Sequence, residues 1–278
     1  MTQFGIGQSV SRFEDPRLLR GQGQFIDDHN LPGQAHAVLV RSPHAHALIK
    51  SIHTQSALKA PGVLAVYTGE DVAADGLGTM KMTLPRKRPD GSPMFYRQHQ
   101  GLSRGEVKYV GDPVALVVAE TVWQAKDAAE LVEVDYEPLP HAVTLADALA
   151  PGAPLLSDAP DNRVAESRYG DAAKARTAFE QASHVVRLDI TNQRVAALSI
   201  EPRSVQAHIE QGRLVVRMSS QMPTGIRTQI VDLLGIREDQ VRVLVGDVGG
   251  GFGMKTGAYP EDLKARSSLQ AIPQRPLH

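Results

Sequence analysis

Ten consecutive residues, Gly246-Asp247-Val248-Gly249-Gly250-Gly251-Phe252-Gly253-Met254-Lys255, carry the densest chemical potential in the chain. Four of the five residues 249–253 are glycine, which frees the backbone and removes side-chain bulk. Successive N–H groups in such a run can cradle an anion. The single phenylalanine suggests a backbone that must approach a ligand closely, with Phe252 as a wall. Three ligand readings stay open. A phosphate loop fits Gly249 to Thr256 through Lys255-Thr256 but finds Met254 where that pattern needs glycine. A dinucleotide fingerprint fails at the same residue. A loop for a different cofactor is the third, and an ordinary glycine-rich turn is the plain alternative. Around the run lie Ser219-Ser220-Gln221-Met222-Pro223 with Arg227 one turn on, Glu201-Pro202-Arg203, and Tyr259-Pro260-Glu261-Asp262.

Strands and helices must position these residues. Residues 12–28 are polar, with a turn expected at Gly21–Gly23. Ala37–Arg41, Ala47–Ile52 and Val63–Tyr67 read as strands. Residues 80–105 have no periodicity and read as a long loop. Val114–Ala119 is apolar without alternation, the pattern of a strand buried on both faces. Thr121 and Gln124 have capping-box spacing, opening a helix whose apolar residues are Val122, Ala125, Ala129 and Val132. Val132–Tyr136 returns to alternation. Asp171 opens a second helix with Ala172, Ala175, Phe179 and Ala182 on one face. His184–Ile190, Ser204–Ile209, Leu214–Met218 and Val241–Val245 read as strands, and Pro223–Gly235 as a third helix. Trp123 is expected to pack its helix. His44 and His46 share one face of a strand, but no acidic or cysteine partner is spaced to complete a zinc site.

The 278 residues suffice for two domains of roughly 100–150 residues. A hydrophobic share of 42% against 22% charged residues allows a real core. A net charge of -1 gives no bulk attraction to nucleic acid or an anionic membrane. The absence of cysteine excludes disulfides, thiolate metal sites and a cysteine nucleophile from these residues. No secretory signal is visible at Met1–Val10, and no apolar run approaches the ~18–20 residues of a membrane span. A cytoplasmic protein is expected.

The motifs together resemble the large subunit of the xanthine dehydrogenase/aldehyde oxidase family, including its carbon monoxide dehydrogenase-like members. The resemblance covers residues about 4–262. It rests on RFEDPRLLRGQGQFIDD at 12–28, RSPHAHALI at 41–49, APGVLAVYTGEDV at 60–72, YVGDPVALVVAET at 109–121 and ELVEVDYEPLP at 130–140. It continues with EPRSV at 201–205, SSQMP at 219–223, DVGGGFGMK at 247–255 and YPED at 259–262. Each piece is short; their order and spacing are specific.

The resemblance implies an α/β (α+β) architecture. An α/β-hammerhead domain would cover 18–143, a linker 144–170, a partial molybdopterin-binding domain 171–262 and a divergent tail 263–278. It implies a molybdenum–molybdopterin cofactor, in the cytosine dinucleotide form, and partners in an iron–sulfur subunit and an FAD subunit. In such proteins the glutamine of the Q-x-P segment lies beside the metal's apical oxo ligand, which maps to Gln221. The glycine loop packs against the pterin and metal, which maps to Gly250, Gly251, Phe252 and Gly253. The pterin itself holds the metal, so no protein metal ligand is expected. The implied reaction is hydroxylation of an aldehyde, heterocycle or similar small molecule, with water as oxygen source and a glutamate as base.

Two departures qualify this. Thr256 stands where purine-oxidising members carry glutamate, which argues against a purine substrate. The family's large subunit continues for several hundred residues beyond this length, and the catalytic glutamate belongs to that part. Lys264–His278 also departs from the apolar helix expected there, so a frameshift or early stop near residue 263 is the expectation. The chain is thus expected to be truncated and inactive alone, with residues 18–140 folding independently and 171–278 not. Two other classes remain: a non-catalytic module contacting the iron–sulfur and flavin subunits, and a nucleotide-binding protein using Gly249–Thr256.

Overall fold

A computed structural model describes residues 7, 9–77, 79–80, 86–96, 99–156, 159, 161–263 and 276–277. Parts of the expected 80–105 loop, of the N-terminus and of the 144–170 linker, and most of the tail, lie outside the described residues.

The first half holds α1 (Asp15–Leu18), β1 (His36–Arg41), β2 (Ala47–His53), α2 (Gln55–Leu58), β3 (Val63–Thr68), α3 (Gly69–Ala74), β4 (Glu106–Val107), β5 (Pro113–Ala119), α4 (Val122–Ala129), β6 (Glu133–Pro138) and α5 (Leu145–Leu149). β5 sits between β1 and β3, antiparallel to both. Every residue of β5 is buried, as its unbroken apolar run demands. β2 is central in a second antiparallel sheet, flanked by β4 and β6. The Thr121 hydroxyl accepts from the Gln124 N–H at 3.2 Å and caps α4, which buries Ala125 and Ala128.

The second half holds α6 (Ala172–Gln181), β7 (Val205–Glu210), β8 (Arg213–Met218), α7 (Pro223–Leu234), β9 (Val241–Leu244) and α8 (Pro260–Leu263). β7 and β8 form a hairpin whose two-residue loop, Gln211-Gly212, has positive φ at both positions, the geometry that matches strand twist. β9 runs parallel to β8. The parallel return requires a crossover, and α7 supplies it. Pro223 starts this helix, Ile226 and Ile230 bury its inner face, and Gly235 ends it in the left-handed conformation.

One apolar core crosses both halves. It joins Leu116 and Val118 of β5 to Leu214, Val216 and Met218 of β8 and to Ile226 and Ile230 of α7. Leu277 enters the same cluster and bridges to Ala35 and Ala207. A hammerhead cut at residue 140 would expose that face of β5, which argues against its independent folding.

Four expectations change. His184–Ile190 forms no strand and is exposed, since no neighbouring strand pairs with it. α6 forms with Asp171 as its cap but buries no residue, so its apolar face has no partner in the described structure. The linker contains α5, capped reciprocally by Thr144 and Asp147. Trp123 is exposed, with the Lys126 ammonium 4.8 Å from its ring centroid rather than core around it.

Candidate functional site

β9 feeds directly into the glycine run, and α7 begins just after Gln221. The crossover therefore delivers both to one edge of the β7–β8–β9 sheet. The Gln221 side-chain oxygen accepts N–H bonds from Gly253 and Lys255, each at 3.2 Å. Its backbone N–H donates to the Lys255 carbonyl at 2.8 Å. Two N–H groups converging on one amide atom identify it as the oxygen. The Nε2 group is thereby left as a donor with no protein acceptor among the described residues. Glycine at 251 leaves room for this amide: a Cβ there would lie 2.5 Å from that oxygen and displace the side chain.

The loop's outer backbone is also unpaired. The N–H groups of Gly250, Gly251 and Phe252 find no acceptor among the described residues, whereas those of Gly249, Gly253, Met254 and Lys255 are all used. Gly250 and Gly253 have φ of 101° and 85°, and Phe252 has 49°. Positive φ is strained for phenylalanine. Its ring is 76% exposed, which leaves it open to a ligand rather than committed to packing.

Beneath the loop lies a buried ion pair. Lys255 is 0% exposed. Its ammonium donates to the Glu201 carboxylate at 3.0 Å, the Glu201 carbonyl at 2.9 Å and the Ser219 hydroxyl at 2.8 Å. Those three bonds use all its N–H groups. The phosphate-loop reading needs this lysine to face a ligand, and the structure turns it inward. Glu201 also accepts from Ser219 Oγ at 2.5 Å, Gly249 N–H at 2.7 Å and Ile26 N–H at 3.3 Å. Burial pushes the Glu201 carboxyl up, but the bonds from Ser219, Gly249, Lys255 and Ile26 outweigh it and hold the group below its ordinary range.

Two arginines hold the ends of the loop. The Arg203 guanidinium donates to the carbonyls of Met254, at 2.7 Å, and Gly257, at 3.1 Å. It also pairs with Asp262 and lies over the Tyr259 ring. At the other end Arg17 binds both Asp247 carboxylate oxygens at 2.6 Å. Arg17, with a bond from the Gln24 N–H, holds the Asp247 carboxyl down at about 2.

The structure places Gln221 against the loop that carries Gly250, Gly251, Phe252 and Gly253. The motifs containing Glu201, Arg203 and Asp262 were visible, but their support of the loop was not. Thr256 caps the loop by donating to the Gly253 carbonyl at 2.9 Å. His44 and His46 stand apart from the site. His46 does find an acidic partner, Glu106 at 2.5 Å, while its other ring nitrogen meets the Pro140 carbonyl at 2.8 Å. His44 packs edge-on against Tyr136. Among the described residues no group of three or more His, Cys, Asp or Glu could hold a metal ion.

Residues 20–140 match the family model for the aldehyde oxidase and xanthine dehydrogenase a/b hammerhead domain, and 155–274 match that for the molybdopterin cofactor-binding domain. The second match runs past residue 263, into the segment set apart on sequence as divergent. The chain is 36% identical over 278 residues to the nicotine 6-hydroxylase large subunit of Paenarthrobacter nicotinovorans, covering 95% of this chain and 32% of that protein. It is 36% identical over 270 residues to the carbon monoxide dehydrogenase large chain of Afipia carboxidovorans, covering 92% and 32%. The crystal structure of quinoline 2-oxidoreductase from Pseudomonas putida 86 superposes with a TM-score of 0.87 at 35% identity, covering 98% of this chain and 34% of that one. The chain spans about a third of the length of these relatives. With both domain models matched in order and the glycine loop built as described, the chain belongs to the aldehyde oxidase and xanthine dehydrogenase family.

Proposed function

We propose that the chain forms the hammerhead domain and the opening portion of the molybdopterin site in the large subunit of a molybdenum-dependent hydroxylase. One observation carries this reading. Three successive unpaired N–H groups, at Gly250, Gly251 and Phe252, lie in the loop that orients the Gln221 amide donor. These are neutral donors suited to oxo and pterin oxygen or nitrogen acceptors. When bound, the cofactor supplies the redox centre that oxidises the substrate carbon with water as oxygen source.

This chain's residues bind and orient. Gln221 would donate its side-chain N–H to the bound cofactor, and Gly250–Gly253 would present backbone to it where side chains would obstruct. Phe252 walls the site. Glu201, Lys255 and Arg203 fix the loop from below. The substrate class is an aldehyde, heterocycle or similar small molecule, and Thr256 in place of glutamate disfavours purines. The cytosine dinucleotide form of the cofactor, cytoplasmic residence, and iron–sulfur and FAD subunits as electron-accepting partners complete the reading. The carbon monoxide dehydrogenase relative is a large chain and the nicotine 6-hydroxylase relative a large subunit, which supports a multi-subunit assembly.

The test is to purify the chain with its co-expressed partner subunits and measure molybdenum and released pterin per chain. Stoichiometric molybdenum that falls at least tenfold in Gln221→Ala supports the proposal. Partner subunits that copurify without molybdenum would favour the non-catalytic module. Stoichiometric ATP binding by the parent chain without molybdenum would favour the nucleotide reading.

A further inference from the structure

The described part of the long 80–105 loop is tied down rather than loose. Met94 N–H donates to the Arg86 carbonyl at 3.0 Å, and Phe95 N–H to the Val164 carbonyl at 3.1 Å. Arg88 donates to the Arg163 carbonyl at 2.8 Å, and the Tyr96 hydroxyl to the Met80 carbonyl at 2.8 Å. These bonds join the loop to the linker. A cavity of about 730 Å³ is lined by residues of both and of the segment 103–112. That volume falls in the roughly 300–1,000 Å³ range of small-molecule sites. Phe95, Tyr96, Leu156 and Val164 give it an apolar lining, and Arg104 and Lys108 bring cations. None of its lining residues belongs to the glycine-loop site.

The acidic groups of the cavity are already committed to protein donors. Glu106 meets His46 Nε2 at 2.5 Å, and Asp112 accepts the Lys108 backbone N–H at 3.0 Å. The cations are held less tightly. The Lys108 ammonium lies 3.5 Å from Glu106, beyond ordinary hydrogen-bond length, and an ammonium carries three donors. Arg104 pairs with Glu70 at 2.9 Å, with the two side chains 46% and 71% exposed. An exposed pair of this kind is weak and can yield to a ligand. Rings on one side and two cations on the other suit a flat apolar body with an anionic end. We infer that this cavity binds a small aromatic carboxylate. The ring lies against Phe95 and Tyr96, and the carboxylate meets Lys108 and Arg104. The site is separate from the glycine loop and needs no cofactor.

The experiment titrates the whole chain with 2-naphthoate, followed by its fluorescence. The matched probe is 2-naphthylmethylammonium, which keeps the rings and reverses the charge. Saturable binding of 2-naphthoate is expected, with a Kd of about 1 mM or tighter. The ammonium probe should bind at least about tenfold more weakly. Lys108→Gln and Arg104→Gln should each weaken 2-naphthoate about tenfold while the urea midpoint stays near the parent's. Leu156→Trp should fill the cavity and abolish binding. Hydrogen exchange on the unaltered chain gives a readout that no variant can spoil: 2-naphthoate should slow exchange at 99–109 and leave 249–255 unchanged. Four results would overturn the inference: no saturation by about 5 mM, equal binding of the two probes, parent-like binding by both glutamine variants, or slowed exchange at 249–255 in place of 99–109. The readout needs neither molybdenum nor turnover, so it fails or succeeds separately from the proposed activity.

Discussion

Replacing Lys255 with methionine separates a lysine that supports the loop from one that serves a phosphate. The side chains are similar in length, so the change removes charge and hydrogen bonding more than volume. In the parent, the ammonium sits 3.0 Å from the Glu201 carboxylate with no exposed surface. At an effective dielectric of about 20 that separation corresponds to an attraction of roughly 5 kcal/mol. The Glu201 carboxylate keeps its bonds from Ser219, Gly249 and Ile26, which moderates the loss. Breaking one side of a buried pair costs about 3–5 kcal/mol, and the retained bonds place Lys255→Met at the low end, about 3 kcal/mol. For a chain of this size that corresponds to a fall in Tm of roughly 6–12 °C. Adding Glu201→Gln removes the stranded charge and should restore about 1 kcal/mol or more. Urea unfolding of the parent, both single variants and the double variant closes the cycle. A Lys255→Met protein within about 1 kcal/mol of the parent would refute the supporting role.

Three further outcomes are expected. Gly251→Ala places a Cβ 2.5 Å from the Gln221 oxygen; it should displace the amide, cost about 1–3 kcal/mol and lower molybdenum content in the purified complex. The Asp247 carboxyl, held at about 2 by Arg17 and the Gln24 N–H, contributes stability that is complete above its ordinary value of about 3.9. That contribution is lost as pH falls from about 4 towards 2, so urea unfolding of Asp247→Asn should lack this segment of acid dependence. Met218→Ala in the shared core should cost about 2–5 kcal/mol. It should accelerate hydrogen exchange in 113–119 and 213–218 together; acceleration in 213–218 alone would mean two independent cores.

What could be read from sequence was local. β5 declared itself by the six apolar residues Val114–Ala119 without alternation, α4 by Thr121 and its capping partner, and α7 by Pro223 before Ile226 and Ile230. Gln221 and the glycine run were legible because their chemistry is compressed into a few residues. The supports of the loop were not, because Glu201 and Lys255 lie 54 residues apart, Arg203 and Asp262 59, and Arg17 and Asp247 230. No periodicity connects such positions. His184–Ile190 shows the opposite failure. Its alternation is a real β signal, but strand stability lies in cross-strand pairs, and no strand among the described residues pairs with it.

The Arg17–Asp247 contact has a consequence for synthesis. The two residues leave the ribosome 230 residues apart. At about 5–20 residues per second, that is a delay of roughly 10–45 s. Until Asp247 is made, Arg17 and Gln24 lack their anchor, and Ile26 gains Glu201 only after a separation of 175 residues. The amino-terminal strap is therefore made first and seated late, and it closes in the same stretch of translation that produces the glycine loop. A nascent chain stalled between residues 201 and 247 should be cleavable by protease near Arg17 and Arg20, and one released beyond 250 should not.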